Sequence, residues 1–320
     1  MSGVELDRRG LLAAGAMAAL ASGARAALPP PRDFDRLAIW PGAAPGAPHV
    51  LPQELEVRRR PDGPAEDTAI THVAQPTLTH IRPARPNGAA LLMIPGGGYV
   101  RVAVGIEGYA IARRFAEAGY HCFVLVYRLP ADGWAAGPDA PLQDAQRAMR
   151  LIRARAAREG FDAKRVGAIG FSAGGHLAAR LATVREPVYA AVDAADAAPF
   201  LPQVAGLLYP VIQMAGPFTH KGSRDQMFGP SADPAKLAAY SVEQHVLPGT
   251  PPTFLAAAAD DKVVPVENSL GMFSALKAAG VPSEMHIFET GGHGFGLKRP
   301  DGSASPWPDL FLHWAGTHGV

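Results

Sequence analysis

Four kinds of residue in this chain stand in types and order that suit acyl transfer: a serine, an aspartate pair, a histidine and a run of glycines. Ser172 lies in Gly170-Phe171-Ser172-Ala173-Gly174, between an apolar run at 165–169 and a helix-forming run at 175–182. Strand, tight turn and helix make this G-x-S-x-G pattern a nucleophile elbow, whose strained serine is exposed at the end of a sheet and the positive end of a helix. Gly170, Ala173, Gly174 and Gly175 provide the small flanks that such a turn needs. A serine hydroxyl is a weak nucleophile and requires a base that is itself oriented by an acid. The acid candidates are Asp260 and Asp261, after an apolar run and before Pro265. The D-x-x-V-P spacing favours Asp261 and leaves Asp260 as a loop hydrogen-bonder. The base candidate is His293, in the glycine-rich stretch Gly291-Gly292-His293-Gly294-Phe295-Gly296. A tetrahedral intermediate also needs donors for its oxyanion. Pro95-Gly96-Gly97-Gly98-Tyr99 follows an apolar run, where backbone amides can approach a ligand, and the amide of Ala173 is the natural second donor.

These loops need a scaffold that delivers them to one place. Strand-like runs fall at 77–81, 89–94, 121–127, 165–171, 204–209, 253–258 and 283–288. The later ones are nearly continuous apolar runs, as in parallel strands buried on both faces. Helices fall between them. In 141–158, Leu142, Ala145, Met149, Ile152 and Ala156 repeat at steps of three and four. A second helix spans 265–279, with Pro265 in its first turn and Gly280 past its end. The alternation predicts a doubly wound α/β domain over 76–320. Residues 27–75 are rich in proline and glycine and predict an ordered arm on that domain, with Ile39 and Trp40 as anchors. Inserts at 130–140 and 212–245 follow strand ends, where open α/β sheets bind ligands, and predict substrate walls or a small cap. His220, inside the second insert, and Tyr99 and Tyr209 are expected to contact substrate. His176, on the elbow helix, is expected to be structural support.

Composition bounds the rest. The chain has 320 residues, 48% of them hydrophobic, and a formal net charge of +1 with no basic block, so no nucleic-acid partner is expected. A single cysteine, Cys122, excludes an internal disulfide and a cysteine-based zinc site and reads as a core residue. No P-loop, G-x-G-x-x-G or H-E-x-x-H pattern occurs, so neither cofactor nor metal is expected. Residues 1–26 read as an export signal: Arg8-Arg9, an apolar stretch at 11–21 too short for a membrane anchor, and Ala24-Arg25-Ala26 as cleavage site. This predicts a periplasmic or secreted protein, exported by the twin-arginine or the general secretory route.

Taken together, these motifs resemble the secreted α/β-hydrolase esterases of the acetylxylan esterase group. The resemblance runs through Ile39-Trp40-Pro41-Gly42, Pro95 to Tyr99, Tyr127-Arg128-Leu129, Asp144 to Ala148, Gly170 to His176, Tyr209-Pro210, Asp260 to Ser269 and Gly291 to Phe295. It implies an α/β-hydrolase fold: a mostly parallel sheet with helices on both faces and small cap or loop insertions. It implies Ser172, Asp261 and His293 as catalytic triad, Gly97, Gly98 and Ala173 as oxyanion hole, and a small-molecule or oligosaccharide ester as substrate. Hormone-sensitive-lipase-type enzymes, a related group, carry histidine before the glycines where this chain has Pro95, which favours the carbohydrate-esterase branch. Competing readings are a prolyl-oligopeptidase-like peptidase, an arylformamidase-type amidase and a non-catalytic binding protein of the same fold.

Overall fold

The computed structural model describes residues 35–320, which belong to one compact unit, Asp33–Val320. The expected export signal at 1–26 lies outside the described residues. Ten strands follow in chain order: β1 (Asp35–Ala38), β2 (Leu55–Arg58), β3 (Thr68–Thr71), β4 (Thr77–Ile81), β5 (Ala90–Ile94), β6 (His121–Val126), β7 (Val166–Phe171), β8 (Ala205–Leu208), β9 (Thr253–Ala258) and β10 (Ser283–Phe288). Eight of them form one sheet in the order β1-β4-β6-β5-β7-β8-β9-β10. From β6 to β10 every neighbouring pair is parallel, while β4 runs antiparallel to both β6 and β1.

Among the described residues, seven α-helices accompany the strands: α1 (Ile111–Glu117), α2 (Ala140–Glu159), α3 (Ala173–Thr183), α4 (Lys221–Phe228), α5 (Pro234–Ala239), α6 (Glu267–Ala278) and α7 (Trp307–Thr317). The period of two along a strand sorts side chains to opposite faces. In β5, Ala90, Leu92 and Ile94 join one core with Leu142, Met149 and Ile152 of α2 and Met272 and Leu276 of α6. Leu91 and Met93 join the other core, with Ile111 and Phe115 of α1 and Trp307, Phe311 and Trp314 of α7. Both faces of the sheet are therefore covered, which is why its inner strands are mostly apolar. Cys122 is fully buried.

The stretch expected to be an ordered arm contains three short strands. β1 is the edge strand of the main sheet, and β2 and β3 form an antiparallel hairpin, so a boundary between 75 and 76 does not divide the packing. Ile39 and Trp40 are 1% and 5% exposed. Trp40 Nε1 donates to Asp144 Oδ1 at 2.8 Å, on a carboxylate that also pairs with Arg128, both side chains being fully buried. The insert at 130–140 clasps this arm through the Ala135 amide, which donates to the Gly46 carbonyl.

Candidate active site

Four loops leave the carboxyl ends of β5, β7, β9 and β10 and meet above the sheet. The middle one turns from β7 into α3 at Ser172, whose φ of 54° and ψ of −120° lie far from any relaxed region for a residue with a side chain. The sheet holds this strain in place: the Ser172 amide donates to the Leu208 carbonyl at 3.0 Å, and the Ser172 carbonyl accepts from the Val211 amide at 3.0 Å. A Cβ on Gly174 would strike the Ile94 and Pro95 carbonyl oxygens, so the elbow can sit against the glycine loop only because this residue has none.

Ser172 Oγ lies 2.8 Å from His293 Nε2, and His293 Nδ1 lies 2.7 Å from Asp261 Oδ2. A carboxylate can only accept, so Nδ1 carries the proton and Nε2 is left as acceptor for the serine hydroxyl. The other Asp261 oxygen accepts from the Val263 and Val264 amides, each at 2.9 Å. Burial pulls the Asp261 carboxyl upward, but the hydrogen bond and charge of His293 and those two amides outweigh it and hold it below the usual range. Asp260 points the other way and accepts from the Gly291 and Gly292 amides at 2.9 and 2.8 Å, gripping the loop that carries His293.

The Gly97 and Gly98 backbones have φ of 127° and 67°. Among the described residues, the amides of Gly97, Gly98 and Ala173 donate to no protein acceptor. Ala173 opens α3, so its amide also carries the positive end of the helix dipole.

The structure separates the three residues expected to touch substrate. Tyr99 and Tyr209 are each 1% exposed and offer no surface to a ligand. Tyr99 Oη lies 2.8 Å from Nδ1 of the fully buried His176, whose Nε2 lies 2.9 Å from the Tyr240 carbonyl oxygen. Tyr209 stands edge-on to the His293 ring at 5.3 Å and to Phe295 at 4.8 Å. Both tyrosines are struts behind the site, placed there by chain turns at positive φ of 61° and 37°. His220 is half-buried and caps α4, its Nδ1 accepting from the Ser223 amide at 3.2 Å. Burial first, then the nearby charge of His293, lowers its basicity. Of the three, it alone keeps partial exposure, within electrostatic reach of His293.

A residue that the motifs did not single out sits beneath them. Glu107 is 5% exposed; its Oε2 accepts from the Gly96 amide at 2.7 Å, and its Oε1 from Tyr209 Oη at 3.3 Å. The signal in the sequence was an acid inside the otherwise apolar or neutral stretch 102–112. Among the described residues, no group of three or more His, Cys, Asp or Glu is placed to hold a metal, and no helix is long and apolar enough to cross a membrane.

A strained serine on the strand-to-helix turn of a mostly parallel sheet, with helices on both faces, defines an α/β-hydrolase. The BD-FAE family model matches residues 82–276, more than half of the chain, and the chain belongs to that family. The matched span includes Ser172 and Asp261 and ends before His293. The chain is 34% identical, over 71% of its length, to endo-1,4-beta-xylanase B of Butyrivibrio fibrisolvens, and 33% identical, over 67%, to an acetylxylan esterase of Xylanibacter ruminicola. It spans only 34% and 42% of the length of those two relatives. Among solved structures it is similar to an acetyl ester-xyloside bifunctional hydrolase of Caldicellulosiruptor lactoaceticus, with 32% identity and a TM-score of 0.72, covering 89% of this chain and 97% of that one.

Proposed function

We propose that this protein is a serine carboxylic-ester hydrolase that removes acetyl or other small acyl groups from xylan-type carbohydrates. The observation that carries the reading is the unbroken line from Ser172 Oγ through His293 to Asp261, at 2.8 and 2.7 Å. In the proposed reaction Oγ attacks the ester carbonyl carbon as its proton passes to His293 Nε2. The resulting oxyanion takes hydrogen bonds from the amides of Gly97, Gly98 and Ala173. Asp261 holds the imidazole in the required tautomer and stabilises the imidazolium. The tetrahedral intermediate collapses when Nε2 gives its proton to the departing sugar oxygen, leaving the acyl group on Oγ. Water then repeats the sequence, with Nε2 taking its proton, and releases the free acid and Ser172.

The xylan side of the proposal is supported by the company the chain keeps: two of the similar proteins bear xylanase or acetylxylan esterase names, and a third is an acetyl ester-xyloside hydrolase. The pattern Arg8-Arg9, 11–21, Ala24-Arg25-Ala26 supports export to the place where such polymers are met.

The test is turnover of p-nitrophenyl acetate and of acetylated xylo-oligosaccharides by the purified full chain, together with the same activity in fractionated cells. Wild-type protein should release acetate from both, and Ser172→Ala should lose about 10⁴-fold or more in kcat. Absent activity, or equal activity in Ser172→Ala, would overturn the esterase reading. A strong preference for p-nitrophenyl octanoate would overturn the carbohydrate assignment, and activity confined to the cytoplasmic fraction would overturn export.

A further inference from the structure

Glu107 lies on a π-helix, Val104–Ala110, an uncommon geometry that often marks a functional site. The helix is wedged into place: a Cβ on Gly105 would strike the Glu66 carbonyl and the Thr68 amide of the β2–β3 hairpin, and one on Gly108 would meet Val124 of β6 at 2.7 Å. This fixes the carboxyl directly behind the reacting groups. A Cβ built on Gly96 would lie 2.9 Å from Glu107 Oε2 and 2.8 Å from the Ser172 Cβ, so only a glycine's width separates the acid from the nucleophile. On the other side, a Cβ on Gly294, the residue after His293, would lie 3.9 Å from Glu107 Oε1.

The groups that face this carboxyl come from four elements. The Gly96 amide of the glycine loop and Tyr209 Oη after β8 donate to it. His293 and Arg59, from the loop after β10 and the end of the hairpin, act on it through charge, and Arg59 is itself paired with Asp67 at 3.3 Å. Burial outweighs the Gly96 amide, Arg59 and His293 and leaves the Glu107 carboxyl above its usual range; once ionised, it puts a negative charge beside His293. His293 in turn faces Asp261, His220, Tyr209 and Glu107. A buried carboxyl held by one amide and one hydroxyl is costly, and packing alone gives no reason to keep it.

On the reading of the site as a serine esterase, we propose that Glu107 is a positioning residue: it fastens the glycine loop through the Gly96 amide and sets a second negative charge behind His293. Asp261 acts on the imidazole through a hydrogen bond at Nδ1. Glu107 acts on it through space, from the side of the nucleophile, favouring the imidazolium that forms as Ser172 attacks.

Glu107→Gln keeps an acceptor for Gly96 and the shape of the side chain but removes the charge, whereas Glu107→Asp keeps the charge and shortens the reach. The acid limb of kcat/KM for p-nitrophenyl acetate reports the protonation of the free enzyme's base. In Glu107→Gln this limb should move to lower pH by about 0.5–1 unit. The plateau should fall about ten-fold, with the loss on kcat and KM near wild type. In Glu107→Asp the limb should stay at its wild-type position, and this arm decides alone if the glutamine variant does not fold. A glutamine variant whose limb coincides with wild type, or an aspartate variant whose limb shifts downward, would overturn the proposal. Failure of the esterase reading would instead show as no Ser172-dependent activity in any variant.

Discussion

Asp260 and Asp261 are neighbours in sequence and hold opposite parts of one machine. Asp261 meets the imidazole, and Asp260 ties down the glycines that carry it. Asp261→Asn should therefore cost about 10⁴-fold in kcat, because an amide in that place stabilises the wrong tautomer. Asp260→Ala should cost about ten-fold, through a loosened loop, since the imidazole keeps its acid. Comparable losses in the two variants, read as kcat on p-nitrophenyl acetate, would reverse the assignment. Ser172, His293 and Asp261, which the fold brings within hydrogen-bond distance, were legible in sequence as candidates because the proposed chemistry needs particular residue types beside particular turns. Tyr99 and Tyr209, expected at the substrate surface, are instead buried and bonded to His176 and Glu107. Whether an aromatic ring faces the ligand or the core depends on φ at the turn and on what packs behind it. Glu107 went unseen because a lone acid in an apolar stretch has no motif, only an anomaly.

Among the elements, the seven sequence-read strands recur as β4 to β10, with ends moved by at most a residue or two. Buried parallel strands announce themselves as continuous apolar runs. Strands β1, β2 and β3 are four residues each and escaped notice; β2 is mostly exposed, so its side chains carry no burial pattern. The helix read from Pro265 starts as α6 at Glu267, and the insert at 212–245 holds α4 and α5. A different consequence follows from the pairing of β4 with β6. It brings His80 Nε2 to 3.0 Å from His121 Nδ1, with Glu159 of α2 at 3.6 Å from His80 Nδ1. Burial, helped by Arg82, lowers His80 to about 3, and burial also lowers His121. The folded protein then holds neutral imidazoles, whereas the unfolded chain takes up protons below its ordinary histidine range near 6.5. Stability should thus be complete above that range and be lost as pH falls from about 6.5 toward 3. His80→Phe should flatten this loss, measured as urea midpoints at several pH values; an unchanged slope would show that the pair does not report on folding.

At the scale of the whole molecule, the N-terminal arm is part of the hydrolase fold. β1 extends the sheet, and Trp40 closes a buried cluster in which Asp144 also receives the Arg128 backbone amide at 2.8 Å, and Arg128 stacks 5.0 Å from the Trp134 ring. Removing the acid leaves the Arg128 charge uncompensated in the interior. Asp144→Ala should destabilise by about 3–5 kcal/mol through the stranded Arg128. Trp40→Ala should cost a similar ~3–5 kcal/mol through lost volume. The double variant should lose less than the sum, by about 0.5–3 kcal/mol, because both act on one cluster. Strict additivity in urea unfolding would mean that the arm and the domain are energetically independent.

The sequence by itself determined the class of sheet, the elbow, the glycine loop and the order of serine, aspartate and histidine. Each of those is a local demand: a turn that tolerates only small residues, a strand buried on both faces, a side chain that must follow a strand end. Only the tertiary structure decided that the arm joins the sheet, that both tyrosines turn inward, and that Glu107 stands behind His293. Those outcomes depend on contacts between residues far apart in the chain, such as Glu107 with Tyr209 and Trp40 with Asp144. Their energies come from burial and pairing that exist only once the strands are in register, so no spacing along the chain could carry them.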